Sequence, residues 1–510
     1  MDTQSNNKRL AQNTILLYLR MILIIIVGLY TSRVVLQTLG VNDYGIYNVV
    51  GGIVAMLAFL NSAMTAASQR FISFELGTGN LNKLKQVFCT SVTIHIAIAG
   101  IILVMAETIG LWFLNTHMNI ASERMTAANW VYQCSILTFI VTVISVPYNA
   151  CIVAHERMKA FAYISIVEAG LKLAIVYLLL ILSADKLITY AILVLCVSLI
   201  IRVIYSIYCK RSFEECTYKF SFNKALFNEM FAFAGWSIIG NLGFSLKDQG
   251  SNVILNLFCG TAINAARGVA LQVNGIISNF SNNFMMALNP QITKMYASGN
   301  IEESQKLVYA GCRYSFFLLS LISIPVMVNL DYLLTLWLGI VPPYTTEFLF
   351  LALITALINS IATPLVTAMQ ATGRIKNFQI VISIVMMCEL PLAYITLKLG
   401  YKPYMAMIPS IIVATAGVFA RFILLKQLIK SYNFIYFTNH VVLICIFTTT
   451  SCFLISYYIH NLFTINFLTF VITSIIAFVI TALGIYILGI TSNERIFLNN
   501  KINKTLKIRQ

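Results

Sequence analysis

The residues of this chain best equipped for chemistry are charged and amide side chains set inside long apolar runs. Between Leu226 and Phe258, Asn241, Ser245, Asp248, Asn252 and Asn256 recur at steps of three and four, the signature of one helical face, with Lys247 beside it. Between Ile263 and Met295, Arg267, Asn274, Ser278 and Asn282 form a second stripe, and Asn48, Gly52, Ala55, Ser62, Thr65 and Gln69 form a mixed small and polar face between Tyr44 and Phe74. A charge at the centre of a membrane helix costs about 2.5–3.5 kcal/mol on insertion scales, so such residues usually face a bundle interior or a watery cavity. The Asn and Ser residues have two uses, lining a hydrated cavity or hydrogen bonding between helices. Arg33, Lys247 and Arg267 either serve a cavity or snorkel to lipid headgroups. In a cavity, cations of low dielectric surroundings replace the water around a phosphate-sized anion. The expected binding set, a cationic cavity, is Arg33, Lys247, Arg267, Asp248, Asn241, Asn252 and Asn274.

A second constellation lies between Phe161 and Ser183, where Glu168 and Lys172 stand four apart, the spacing of an intrahelical ion pair. Glu389 falls at the matching place in a later run. These three residues either pair helices in register or couple transport to an ion gradient.

Enzyme signatures are missing. His95, His117, His155, His440 and His460 show no metal-ligand spacing, and the chain has no Gly-rich phosphate loop, no HExxH and no GxSxG. A non-enzyme without cofactor or metal is expected, and an ATP-driven pump is excluded for want of a nucleotide site. The 11 cysteines form no CxxC pair, and most, such as Cys134, Cys196, Cys312 and Cys445, sit in apolar runs, so they read as free buried thiols.

The elements that position these residues follow from composition. Of 510 residues 59% are hydrophobic and only 10% charged, against about 25% charged in a soluble chain, and this excludes a water-soluble fold, disorder, nucleic-acid binding modules and disulfide scaffolds. A crossing needs about 20 apolar residues, and fourteen such runs are readable, from Asn13–Gln37 to Phe463–Ile490, with no signal-peptide cleavage pattern before the first. With the N-terminus inside, the inner segments hold most of the Lys and Arg, including Arg157, Lys159, Arg374, Lys376 and the tail from Arg495 to Arg509. The outer loops hold only Arg124, Lys186, Lys398 and Lys402. Both termini are therefore expected in the cytoplasm. The net charge of +16 is assigned mainly to this inner face and its anionic lipid, not to nucleic acid.

The chain is also duplicated. Gly40 to Asn80 aligns on Gly260 to Asn300, and Pro147, Arg157, Lys159 and Phe161 recur as Pro364, Arg374, Lys376 and Phe378. Six crossings separate the copies, so the repeat is parallel, and a substrate site is expected where the halves meet. The expected organisation is an all-α integral membrane protein with 14 transmembrane helices. It comprises a six-helix lobe at 1–208, a cytoplasmic connector at 209–225, a second six-helix lobe at 226–430, two C-terminal helices at 431–490 and a basic tail at 491–510.

The string Leu39-Gly40-Val41-Asn42-Asp43-Tyr44-Gly45-Ile46-Tyr47, followed by Gln69-Arg70-Phe71, the Gly79-Asn80 turn and Ala265-Ala266-Arg267-Gly268, resembles bacterial polysaccharide flippases of the multidrug/oligosaccharidyl-lipid/polysaccharide exporter superfamily. The resemblance implies two lobes that alternate between inward and outward openings. It implies an undecaprenyl-diphosphate-linked oligosaccharide as substrate, moved from the inner to the outer leaflet of the bacterial cytoplasmic membrane. Membrane lipid, polysaccharide polymerase and glycosyltransferases are the implied partners. Related lipid II flippases use arginines in crossings one, two and eight. Here Arg33 and Arg267 match two of the three, the second crossing offers no outer charge, and Lys247 is the substitute, which favours a surface-polysaccharide repeat unit such as that of an O-antigen or lipopolysaccharide. Two alternatives stand beside this reading: a cation-coupled multidrug exporter of the same superfamily, which should have an acidic cavity, and a membrane polymerase or glycosyltransferase, which should have a large outer loop.

Overall fold

A computed structural model describes residues 3–55, 58–117, 120, 122–181, 184–219, 223–259, 261–338, 341–464, 466–491 and 494–496. The basic tail expected at 491–510 lies almost wholly outside the described residues. Hydrocarbon offers a backbone no water to bond, so apolar runs of this length close their hydrogen bonds internally as helices, and the described chain is helical almost throughout.

In chain order the helices are α1 (Thr3–Ala55), α2 (Ala58–Thr78), α3 (Leu81–Thr116), α4 (Ser122–Ala154), α5 (Met158–Ile181), α6 (Lys186–Ser212), α7 (Lys224–Cys259) and α8 (Thr261–Ala297). They continue with α9 (Ile301–Val328), α10 (Thr345–Ala371), α11 (Lys376–Lys398), α12 (Pro403–Leu428), α13 (Phe434–His460) and α14 (Phe467–Gly489), with a short helix, Leu330–Leu338, after α9. Among the described residues ten of these, α3 to α6 and α9 to α14, are long and apolar enough to cross a membrane. The polar helices α7 and α8 have 36 and 37 residues, and at about 1.5 Å per residue each outreaches a hydrocarbon core of roughly 30 Å.

The chain divides into two compact units: residues 1–242 with 286–300, and residues 243–285 with 301–510. In the first unit α1 breaks at Gly40, whose backbone (φ 78°, ψ 168°) is open to glycine and strained for other residues. Just past this break, Arg124 at the start of α4 donates to both Asp43 and Asp185. Asp185 also caps α6 by accepting from the amides of Leu187 and Ile188. Its partial burial opposes ionisation, but Arg124 and these amides outweigh that and hold the carboxyl below the usual carboxylate range. The Leu39–Tyr47 string thus acts as a corner, completed by Tyr47 edge-on to Tyr190 at 4.9 Å. Tyr132, fully buried, donates to the carbonyl of Ala106 at 2.8 Å where α3 widens by one residue over Ala106–Gly110.

The turns paired in the sequence share a backbone conformation. Gly79 and Gly299 both adopt positive φ (73° and 80°), and at the second paired turn Glu156 (58°) stands where the later copy has Gly373 (76°). A left-handed conformation costs a non-glycine residue about 1–2 kcal/mol, and Glu156 brings a carboxylate to the turn in exchange. That carboxylate accepts from Gln291 at 3.1 Å and Lys294 at 2.9 Å, while Asn13 donates to the Glu156 carbonyl at 3.4 Å. The network ties the ends of α1 and α4 to the last turns of α8 and explains why residues 286–300 belong to the first unit.

Gly77 on α2 reinforces this contact: a Cβ there would lie 2.6 Å from the Lys294 carbonyl oxygen and 2.7 Å from Ala297 Cβ. Backbone cannot yield as a side chain does, so Gly77→Val is expected to destabilise by about 1–3 kcal/mol. A lowered midpoint in thermal unfolding of the detergent-solubilised protein checks this, and an unchanged midpoint would refute the close approach.

In the second unit α14 packs on α9. Asn329 anchors that contact, donating to Ser474 at 3.2 Å and accepting from Thr473 at 2.9 Å. Arg313 on α9 donates to Glu494, beyond α14, at 2.7 Å. The pair α13 and α14, which lacks a counterpart in the duplication, is thereby built into this unit. All eleven cysteines are free thiols, most of them buried as expected, but Cys196 and Cys388 are exposed because their apolar runs present that face outward.

Candidate functional site

Two neighbouring charged residues of α7 meet partners from α11 and from α8 inside the second unit. Two glycines of α7 permit this. A Cβ on Gly243 would lie 2.9 Å from Ser383 Oγ, and one on Gly250 would lie 2.7 Å from Leu390 Cδ2, so the helices α7 and α11 approach at two points two turns apart. Opposite them α11 is interrupted at Cys388, between the helical segments Lys376–Met387 and Glu389–Lys398. Pro391, lacking an N–H, leaves the carbonyl of Met387, four residues back, without its helical donor and accounts for the break. Glu389 consequently sits in the first turn of a helical segment, where the helix dipole favours a carboxylate.

Lys247 reaches across from α7 and pairs with Glu389 Oε2 at 3.2 Å. Ser251, one turn further along α7, donates to Glu389 Oε1 at 3.3 Å. The Lys247 and Glu389 side chains are 12% and 4% exposed, so this is a buried ion pair with its carboxylate bonded at both oxygens.

Arg267 on α8 is more deeply buried, at 3% exposure, which removes snorkelling as its role. Its Nη2 donates to Asp248 Oδ1 at 2.7 Å and its Nη1 donates to Asn252, while Nε is buried without a partner. Asp248 is one-third exposed, so the outer side of this pair is open. Asn274, two turns along α8 from Arg267, keeps its side-chain carbonyl buried and unmatched. The site therefore combines two ion pairs of net zero charge with unused hydrogen-bonding capacity at Arg267 and Asn274. An anion with several acceptor oxygens could take Nε and displace Asp248, whereas the better-buried Glu389 holds Lys247 more firmly.

Lys247 and Asp248, neighbours on α7, thus carry two separate pairs, one to Glu389 and one, joined by Asn252, to Arg267. The expected excess of positive charge is matched there pair by pair, because Glu389, assigned from sequence only to coupling or helix pairing, comes against Lys247. Asn241 lies on the part of α7 that belongs to the first unit. Glu168 and Lys172 also lie in the first unit and pair with each other along α5 at 2.7 Å, more than a third exposed on both sides. Arg33 is on α1, and its side chain is outside the described residues. Two features escaped sequence reasoning. The Gly243–Gly250 spacing was available as a small-residue signal; Arg421 on α12, buried with two guanidinium nitrogens unmatched, looks from sequence like any inner-end arginine.

Residues 10–296, more than half of the chain, match the family described as "Polysaccharide biosynthesis protein". The chain belongs to that family. It is a group of flippases within the exporter superfamily that the sequence motifs resemble. No curated protein sequence matches the chain. Among solved structures, a MATE transporter in its bent conformation superposes with a TM-score of 0.72 at 14% identity, covering 84% of this chain and 97% of its own. A Vibrio cholerae MATE transporter gives 0.68 at 16%, covering 84% and 98%. A superfamily transporter from Pyrococcus furiosus, described as having a binding pocket of reversed polarity that suggests a different function, gives 0.65 at 14%, covering 82% and 96%. At such identities the likeness is one of fold: this is a multi-pass membrane protein of the polysaccharide family with a MATE-like helical architecture, and its family and fold neighbours are transporters.

Proposed function

We propose that the protein is a flippase that carries an undecaprenyl-diphosphate-linked oligosaccharide, a surface-polysaccharide repeat unit, from the inner to the outer leaflet of the bacterial cytoplasmic membrane by alternating access. Fourteen crossings with both termini in the cytoplasm complete the reading, and the polymerase and glycosyltransferases that handle the same lipid are its working partners. The observation that carries it is Arg267: a guanidinium inside a membrane helix, held by one partly open carboxylate and one amide, with a third N–H position unused. A diphosphate cannot cross hydrocarbon unaided, and a pre-organised planar fork of donors is the side chain that best replaces its water.

A multidrug exporter of the same fold would present uncompensated carboxylates to a cationic drug, and here Asp248 and Glu389 are already matched by Arg267 and Lys247. The described reversal of pocket polarity in the Pyrococcus furiosus relative is in keeping with a fold that hosts more than one substrate charge.

Proteoliposomes containing the purified protein and a fluorescent undecaprenyl-diphosphate oligosaccharide provide the test. Protein-dependent movement of the label between leaflets, with no movement of a lipophilic dye cation, is the expected result. Dye transport without lipid movement would replace this reading with drug export, and new glycosidic bonds would replace it with catalysis.

A further inference from the structure

Local spacing of the cysteines gives no metal motif, but the fold gathers three of them. Cys151 is in the last turn of α4, Cys209 in the last turn of α6, and Cys216 in the short turn Glu214–Cys216 that follows α6. All three are fully buried, and Glu215 beside them is 2% exposed. The sulfurs of Cys151 and Cys216 and a Glu215 carboxylate oxygen all lie within 4.8 Å of one another. The Cys216 thiol also interacts with the thiol of Cys209, which otherwise donates to the Tyr148 carbonyl at 3.4 Å.

We propose that Cys151, Cys209, Cys216 and Glu215 form a structural zinc site that clamps the segment leaving α6 to the end of α4.

Three sulfurs and one carboxylate are a complete tetrahedral set for Zn²⁺, whose bonds of about 2.3 Å to sulfur put neighbouring ligand atoms roughly 3.8 Å apart. The Cys151, Cys216 and Glu215 ligand atoms need only a small contraction to reach that spacing, and the Cys209 sulfur, which interacts with that of Cys216, must swing inward to complete the set. Water is excluded from the ligands, the mark of a closed structural site and not of a catalytic one. The surroundings supply the outer layer such a site requires. His155 Nε2 bonds Glu215 at Oε1, and its ring is stacked on Phe213 at 4.1 Å, so the carboxylate is held in one orientation. Zinc binding by three thiols releases their protons to solvent and leaves the cluster anionic. Arg202 is placed to offset that charge: it acts electrostatically on Cys209, lies over the Tyr148 ring at 4.0 Å, and has Nη1 buried without a partner. Three thiols and a carboxylate assembled from three separate elements, with a histidine and a cation behind them, exceed what packing of small apolar residues requires.

The clamp has a place in the chain's mechanics. Residues 213–219 are pinned at a second point, where Lys219 N donates to Cys89 Sγ at 3.5 Å and that thiol donates to the Thr217 carbonyl at 3.7 Å. Metal at the first point would make the start of this segment part of the first unit's rigid body.

The test is metal analysis of the full-length protein purified in detergent without chelator, followed by exchange with Co²⁺. About one zinc per chain surviving dialysis is expected, and the cobalt form should show thiolate-to-metal charge-transfer absorption with the intense visible bands of a tetrahedral centre. Cys151→Ser and Cys216→Ser should lose the metal, His155→Ala should weaken it by about tenfold or more, and Cys196→Ser, at an exposed thiol away from the cluster, should retain it. Wild-type protein that neither carries zinc nor develops the charge-transfer band on cobalt titration would overturn the site whatever the variants do. So would a disulfide among the three cysteines found by alkylation and mass spectrometry, or zinc retained by the Cys151→Ser/Cys216→Ser double variant. The readouts are independent of transport, so the site stands or falls separately from the flippase reading.

Discussion

Glu389→Ala is expected to destabilise the protein by about 3–5 kcal/mol, and Lys247→Met added to it should recover most of that loss. Glu389 is nearly inaccessible and serves Lys247 and Ser251 together. Removing its carboxylate strands an ammonium that is itself 12% exposed and has Glu389 as its ion-pair partner. The penalty is chiefly that of the unmatched charge, so an apolar chain of similar length at position 247 removes the cause. If instead the pair itself were the main source of stability, the double variant would remain as weak as the single one. Thermal unfolding in detergent decides between these outcomes. Lys172→Ala makes the internal comparison: its partner Glu168 is on the same helix, both ends are well exposed, and an intrahelical pair of that kind contributes only about 0.2–0.5 kcal/mol. Two Lys–Glu pairs of identical chemistry should thus differ about tenfold in consequence because one is buried between helices and the other lies along a helix surface.

That contrast also shows what could be read from the sequence. The apolar runs declared a helical membrane protein, since length and hydropathy are local properties and a bilayer leaves the backbone little choice. The stripes on α7 and α8 were legible for the same reason: steps of three and four on a known helix fix a face. The Glu168–Lys172 pair, four apart, was legible too. The partner of Lys247 was not, because Glu389 is 142 residues away and only the close approach at Gly243 and Gly250 brings α11 near enough. Sequence therefore suggested an excess of positive charge where the fold builds balanced pairs. The thiols of Cys151, Cys209 and Cys216 were hidden in the same way, their apolar flanks giving a correct reading of burial and no sign of convergence. Duplication was intermediate. The paired strings suggested it, but only the backbone showed that Glu156 and the residue aligned with it, Gly373, share a left-handed turn, and that the Glu156 carboxylate lies against Gln291 and Lys294.

Arg267→Ala should reduce transport of the proposed diphosphate-linked substrate by about 10- to 100-fold while leaving the protein in the membrane. A hydrogen bond to a charged group contributes about 1.5–3 kcal/mol, and this is the factor its loss implies for a step that depends on one such contact. Arg267→Lys separates charge from shape. Lysine keeps the positive charge opposite Asp248 but lacks the planar fork that holds Asp248 and Asn252 at once. If the fork grips phosphate oxygens, Arg267→Lys should be nearly as impaired as Arg267→Ala; if Arg267 only balances Asp248, it should be close to wild type. Asp248→Asn tests the exchange from the other side. On the proposed mechanism the carboxylate competes with an incoming phosphate for the guanidinium, so neutralising it should tighten substrate binding and slow release, lowering the half-saturating concentration and the turnover together. Initial rates in proteoliposomes across a range of substrate concentrations report both quantities. Wild-type rates in both Arg267 variants would remove the guanidinium from the transport path and leave the α7–α8 pair as a helix-to-helix contact.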